Sequence, residues 1–106
     1  MSIPPAVEDL LTKGEDVSLV LEDCQLWDED FTICLTNKRI IFHRQEGLIL
    51  KKDKIYTIPL GQIEGAWYEE KGLLSRTGKL VIKARGRKWV ITGRPEDVKA
   101  LYREVG

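Results

Sequence analysis

The alternation of apolar and polar positions is clearest where Phe31, Ile33 and Leu35 alternate with Thr32, Cys34 and Thr36, the period-two signature of a half-buried strand. A Val- and Leu-rich run, Val17 to Gln25, precedes it, and Asp28-Glu29-Asp30 is polar enough to predict the turn between them. Asn37-Lys38 predicts a hairpin turn, after which Ile40, Ile41 and Phe42 carry the next strand to Arg44. Gln45-Glu46-Gly47 breaks that run before Leu48-Ile49-Leu50, and Lys51-Lys52-Asp53-Lys54 reads as an exposed loop. Ile55 to Ile58 predicts a short strand ending at Pro59, which has no N–H to donate to a ladder. Ile63 to Glu70 is a further strand. Leu80, Ile82 and Ala84 alternate with Val81, Lys83 and Arg85, and Arg85-Gly86-Arg87 turns the chain into Trp89 to Thr92. About seven strands at spacings near ten residues predict a barrel or sandwich.

The two ends differ from the middle. Val7, Leu10 and Leu11 have helical spacing between Pro5 and Lys13, with Gly14 just past them. Such a helix is too short to stand alone, so it should pack on the rest of the chain. At the other end Pro95 suits the first helical position, and Glu96 and Asp97 suit the positive end of the dipole. Val98, Leu101, Tyr102 and Val105 then form one apolar stripe. The expected division is an N-terminal helical extension over 1–14, a barrel over 15–93 and a capping helix over 94–106, all within one domain. There is no internal repeat, linker or low-complexity segment.

Composition narrows the function classes. The 106 residues are 42% apolar and 32% charged, which is globular rather than disordered. Seventeen basic residues balance 17 acidic ones, so no general affinity for nucleic acid is expected. No apolar run approaches the ~20 residues of a membrane span, and Met1-Ser2-Ile3-Pro4-Pro5 lacks the regions of a signal peptide. A cytoplasmic location is the expectation, with any membrane contact peripheral. Cys24 and Cys34 fall in strand-like runs and read as buried thiols, although a cross-strand disulfide is sterically allowed. One histidine, His43, and no Cys-x-x-Cys give no basis for a metal site.

Family resemblance sharpens the fold. Cys34-Leu35-Thr36-Asn37-Lys38-Arg39-Ile40-Ile41-Phe42 resembles the strand-turn-strand signature of bacterial pleckstrin-homology-like (PH-like) and GRAM-type domains. Ile58-Pro59-Leu60-Gly61-Gln62-Ile63 is similar to a second step of those families, and Gly78 to Ile82 followed by Pro95 to Val98 keeps their order. The match runs from about Lys13 to Val105. It implies a PH-like barrel of about seven antiparallel strands, closed by the C-terminal helix, and a binding rather than catalytic role. Members of these families often bind peptides, lipids or copies of themselves.

The candidate sites follow. His43 lacks a nearby nucleophile motif, and the paired carboxylates read as solvated, so no catalytic residue and no cofactor is assigned. Many PH domains hold phosphoinositides in the loop joining the first two strands, but here Trp27-Asp28-Glu29-Asp30 is acidic. The basic residues of the last hairpin, Lys79, Lys83, Arg85, Arg87, Lys88 and Arg94, form the alternative patch for anionic lipid. Trp27, Trp67 and Tyr68 are the candidates for an interface with a protein or peptide, or with a second copy of the chain. Trp89 should be core.

Overall fold

The computed structural model describes residues 2–106. Its elements in chain order are α1 (Pro5–Glu8), β1 (Val17–Leu26), β2 (Glu29–Thr36), β3 (Arg39–Glu46), β4 (Lys52–Pro59), a 3-10 turn (Leu60–Gln62), β5 (Ile63–Lys71), β6 (Thr77–Ala84), β7 (Arg87–Gly93) and α2 (Pro95–Val105). The strands form one antiparallel sheet in the order β4-β3-β2-β1-β7-β6-β5. β4 and β5 lie at its two ends and share no ladder, so the sheet is rolled into a barrel shape without being closed by hydrogen bonds. β1 joins the two halves: its register along β2 slips between Leu21 and Cys24, and beyond the slip Gln25 and Leu26 pair with Thr92 and Ile91 of β7. A bulge of this kind bends a strand and lets it serve both halves.

The core lies inside the roll. Leu26, Phe31, Ile33, Ile40, Phe42, Ile58, Leu80, Ile82, Trp89 and Ile91 are buried there with Val98 and Leu101 of α2. These are the inward positions of the alternating pattern. Helix α2 lies mainly against β6 and β5. Its first turn approaches closely because Gly78 and Gly93 form a cross-strand pair beneath it. A Cβ on Gly78 would lie 3.1 Å from the Pro95 Cα, and one on Gly93 would lie 3.3 Å from the Val98 side chain.

A second, smaller cluster covers the outer face. Val7, Cys34 and Ile41 are buried there, with Ile3, Leu11, Val17, Val20 and Ile55 around them. The two thiols therefore belong to opposite faces of the sheet and are free. Burial pushes the Cys24 thiol up to about 12 and the Cys34 thiol up to about 11, which keeps both protonated and poorly nucleophilic near neutral pH.

Four local expectations change. The N-terminal helix is a single turn, Pro5–Glu8, rather than a helix to Lys13, and Leu10 is exposed. The chain leaves the helix because residues 10–16 are recruited elsewhere: Arg39 donates to the Leu10 carbonyl at 2.8 Å, and the Thr12 N–H donates to Glu15 at 3.0 Å. The first hairpin turns on Trp27-Asp28, not on Asp28 to Asp30, with Leu26 paired to Glu29. Both turn residues have positive φ, 50° and 66°, as a two-residue turn between twisted strands requires. Lys52, Asp53 and Lys54 belong to β4 rather than to a loop. They pair with Glu46, Gln45 and Arg44 across the ladder, and a charged strand suits a sheet edge. The loop is instead Gly47 to Lys51, so Leu48, Ile49 and Leu50 form its tip and are almost fully exposed.

Candidate binding surface

Alternation along β5, β6 and β7 fixes what faces outward. Trp67 pairs with Val81, which pairs with Val90, and the three make an apolar row across the outer face. Val81 is buried although it points outward, while Trp67 retains 40% of its exposure. Lys83 pairs with Lys88 on one side of this row, and Glu69, Lys79 and Thr92 line up on the other. The Lys88 ammonium lies 5.6 Å from the Trp67 ring centroid, within cation–π range. Lys83 and Lys88 are exposed and form no ion pair among the described residues.

The structure thus gathers Trp67, Lys79, Lys83 and Lys88 on one face and sends the other candidates elsewhere. Arg85 lies in the β6–β7 turn at φ 57° and donates to the Thr57 carbonyl of β4 at 3.1 Å, so it does not share the face of Lys83. The Arg87 guanidinium lies 4.2 Å over the Trp27 ring and 5.1 Å from that of Trp89. Trp27 stacks on Trp89 at 5.0 Å, and its ring N–H donates to the Lys88 carbonyl at 3.0 Å. These contacts hold a bulky residue in a left-handed turn, which it would not adopt unaided. Arg94 is held by Asp97 at 3.1 Å, which raises its pKa further. Tyr68 packs on Tyr102 of α2 at 5.8 Å and donates to Glu70 at 3.0 Å. Burial, followed by that acceptor, pushes its hydroxyl up to about 12.

Glu70 is a fastener between β5, α2 and the β5–β6 loop. It receives Lys99 at 2.6 Å and Arg76 at 3.0 Å, and Lys99 first, then Tyr68, hold its carboxyl below the usual range. His43 bonds Asp53 across β3 and β4 at 2.7 Å. A cleft of about 420 Å³ opens between β4 and the β6–β7 turn, lined by Ile55, Tyr56, Thr57, Arg85, Arg87 and Trp89. Another, of about 350 Å³, includes Glu22, Asp30, Thr32, His43 and Arg44. Sequence reasoning did not anticipate the apolar loop tips or the outward burial of Val81. The Gly-Leu-Ile-Leu-Lys run of 47–51 carried a signal for the first, because a glycine followed by apolar residues and a lysine also describes a hairpin tip.

A seven-stranded rolled sheet with a C-terminal helix across its inner side, preceded by a short N-terminal helix, is the fold of a bacterial pleckstrin-homology-like domain. Two solved structures share this fold. One is a pleckstrin homology domain from Shewanella amazonensis SB2B, with TM-score 0.68 and 19% identity over 94% of this chain and 88% of that one. The other is a DUF1696 family protein with a pleckstrin-homology domain from Shewanella loihica PV-4, with TM-score 0.71 and 18% identity over 94% and 84%. No family model and no curated protein matches the sequence. Fold alone does not fix what such a domain binds or does. Among the described residues no helix is long and apolar enough to cross a membrane.

Proposed function

We propose that this chain is a non-enzymatic PH-like binding and scaffold module that contacts protein, including a second copy of itself, through the outer face of β5, β6 and β7. The observation that carries this is Trp67, 40% exposed on the apolar row and flanked by two lysines without ion-pair partners. An exposed tryptophan amid polar residues is the composition of a contact centre. The partner surface that complements Lys83 and Lys88 is acidic, and the chain carries exposed carboxylates of its own, among them Glu22, Asp23 and Asp28. Contact between such a carboxylate of one copy and the Trp67 face of another would be head-to-tail. Residues 2–106 act as one unit in this reading. The non-enzymatic part rests on chemistry: both thiols are buried and held protonated, so neither is a ready nucleophile.

The alternative, anionic headgroups bound by the last hairpin, is less favoured. Arg85, Arg87 and Arg94 already have partners within the chain, which leaves Lys79, Lys83 and Lys88 as its cations without an ion pair among the described residues. Sedimentation equilibrium over a wide concentration range tests the protein-contact reading. Association that weakens with salt, and about tenfold or more in Trp67→Ala and in Lys83→Glu/Lys88→Glu, is the expected result. A monomer at every concentration would remove self-contact, and equal association by all three proteins would remove the Trp67 face.

A further inference from the structure

Two hairpin loops share a pattern that the contact face does not use. Gly47-Leu48-Ile49-Leu50-Lys51 joins β3 to β4, and Gly72-Leu73-Leu74-Ser75-Arg76 joins β5 to β6. Each opens on a glycine in the left-handed region, at φ 93° and 115°. In each, a Cβ on that glycine would collide with the carbonyl oxygen three residues on, Leu50 in one and Ser75 in the other. The backbone therefore makes the same tight turn in both and pushes the intervening aliphatic side chains away from the protein. Leu48, Ile49 and Leu50 are 97%, 92% and 88% exposed, and Leu73 and Leu74 are fully exposed. Scattered surface aliphatics are ordinary, but three consecutive ones on a hairpin tip are not.

We propose that the β3–β4 tip is a membrane anchor, inserting Leu48, Ile49 and Leu50 into the interface of an anionic lipid bilayer. Three observations select this occupant. Lys51 and Lys52 follow the apolar triplet at once, are exposed, and form no ion pair among the described residues. Lysines there meet anionic headgroups while the triplet enters the acyl boundary, an arrangement whose strength grows with buried apolar area and with surface charge. The tip is convex, so it offers no groove in which a peptide could lie. Neither cleft described above is an apolar socket for the tip in a second copy: the one lined by Ile55, Tyr56 and Trp89 also presents Arg85 and Arg87, which would repel Lys51 and Lys52, and the other is lined mainly by polar groups, among them Glu22, Asp30, Thr32, His43 and Arg44. This anchor uses none of the residues of the Trp67 face.

The test is co-sedimentation of the full chain with phosphatidylcholine vesicles, with and without about 30% phosphatidylserine, at low and near-physiological salt. Wild type is expected on the anionic vesicles, with partition falling as salt rises. Leu48→Ser/Ile49→Ser/Leu50→Ser should lower that partition about tenfold or more, and Lys51→Gln/Lys52→Gln should remove most of its salt dependence. The serine variant keeps the wild-type melting temperature, because the three side chains are turned to solvent. No sedimentation of wild type with anionic vesicles at low salt would overturn the proposal, as would a serine variant that binds like wild type. A serine variant that changes oligomeric size and leaves vesicle binding alone would assign the tip to protein instead.

Discussion

Trp89→Ala is expected to cost about 4 kcal/mol of folding stability, which is the scale for removing a large aromatic from a core. The side chain is 3% exposed and belongs to the main core. Its ring stacks on Phe42 at 5.7 Å and on Trp27 at 5.0 Å, and meets Tyr56 edge-on at 6.0 Å. Its ring N–H donates to the Ala84 carbonyl at 3.2 Å and so braces the β6–β7 turn. Truncation would open a cavity bounded by three other rings and release the Trp27 turn, whose left-handed backbone depends on that stack. A domain of this size has about 5 to 15 kcal/mol in total, so the variant would be marginal. With a urea dependence of about 1 to 1.5 kcal/mol per molar, the midpoint should fall by about 3 M. Trp89→Phe should lose about 1 kcal/mol, chiefly the hydrogen bond. A midpoint shift below about 1 M for alanine would mean that the rings repack into the space, and the aromatic cluster would then not be the keystone of this end of the barrel.

The same cluster shows what the sequence could and could not reveal. Trp89 is readable as core because it alternates with Lys88 and Val90 in a strand that must pair with Leu80 to Ala84. The helix α2 is readable from its stripe, and its observed bounds, Pro95–Val105, follow Pro95 and the carboxylates behind it. Trp27 was not readable. Its position in the turn depends on a ring from β7, 62 residues away in sequence, and short-range turn chemistry favours the acidic residues beside it. Lys52 to Lys54 read as a loop for a related reason: an edge strand tolerates charge, so polarity alone does not distinguish it from a loop. The basic hairpin fails as a single patch because period two places Lys83 and Lys88 outward, whereas Arg85 and Arg87 curl over the barrel end onto Thr57 and Trp27. Partners contributed by distant strands are what local pattern cannot supply.

The Leu-Thr-Asn-Lys-Arg run has the same two-level character, and it leads to a prediction about pH. Thr36 accepts from the N–H groups of Lys38 and Arg39, each at 3.0 Å, which is the local turn role its residue type suggests. Asn37 bonds instead to the segment before β1, accepting from the Asp16 N–H at 2.8 Å and donating to the Gly14 carbonyl at 3.0 Å. At the centre is Glu15, whose carboxylate is wholly buried. It receives Arg39 through two guanidinium nitrogens at 2.9 and 3.0 Å, the Thr36 hydroxyl at 2.7 Å and the Thr12 N–H at 3.0 Å. The turn signature therefore acts as a clasp for residues 10–16 and for the small outer cluster that Val7 and Leu11 complete.

Arg39 first, with Thr36 and Thr12 and against the cost of burial, holds the Glu15 carboxyl down at about 2, from an ordinary 4.5. A depressed carboxyl pKa means that between those values the unfolded chain binds a proton that the folded chain does not. The stabilisation is therefore complete above about pH 5 and is lost as pH falls through 4.5 toward 2. Its size is about 3 kcal/mol, one pKa unit being worth about 1.4. Glu15→Gln should be less stable than wild type by about that amount at pH 7, because the half-buried Arg39 guanidinium loses the charge of its buried partner. The gap should close as pH approaches 2, since wild-type Glu15 is then becoming protonated as well. Urea midpoints of both proteins at several pH values measure this directly. A gap that stays constant with pH would show that Glu15 acts by shape and hydrogen bonding alone, and the charge of the clasp would then contribute nothing to holding the N-terminal segment on the sheet.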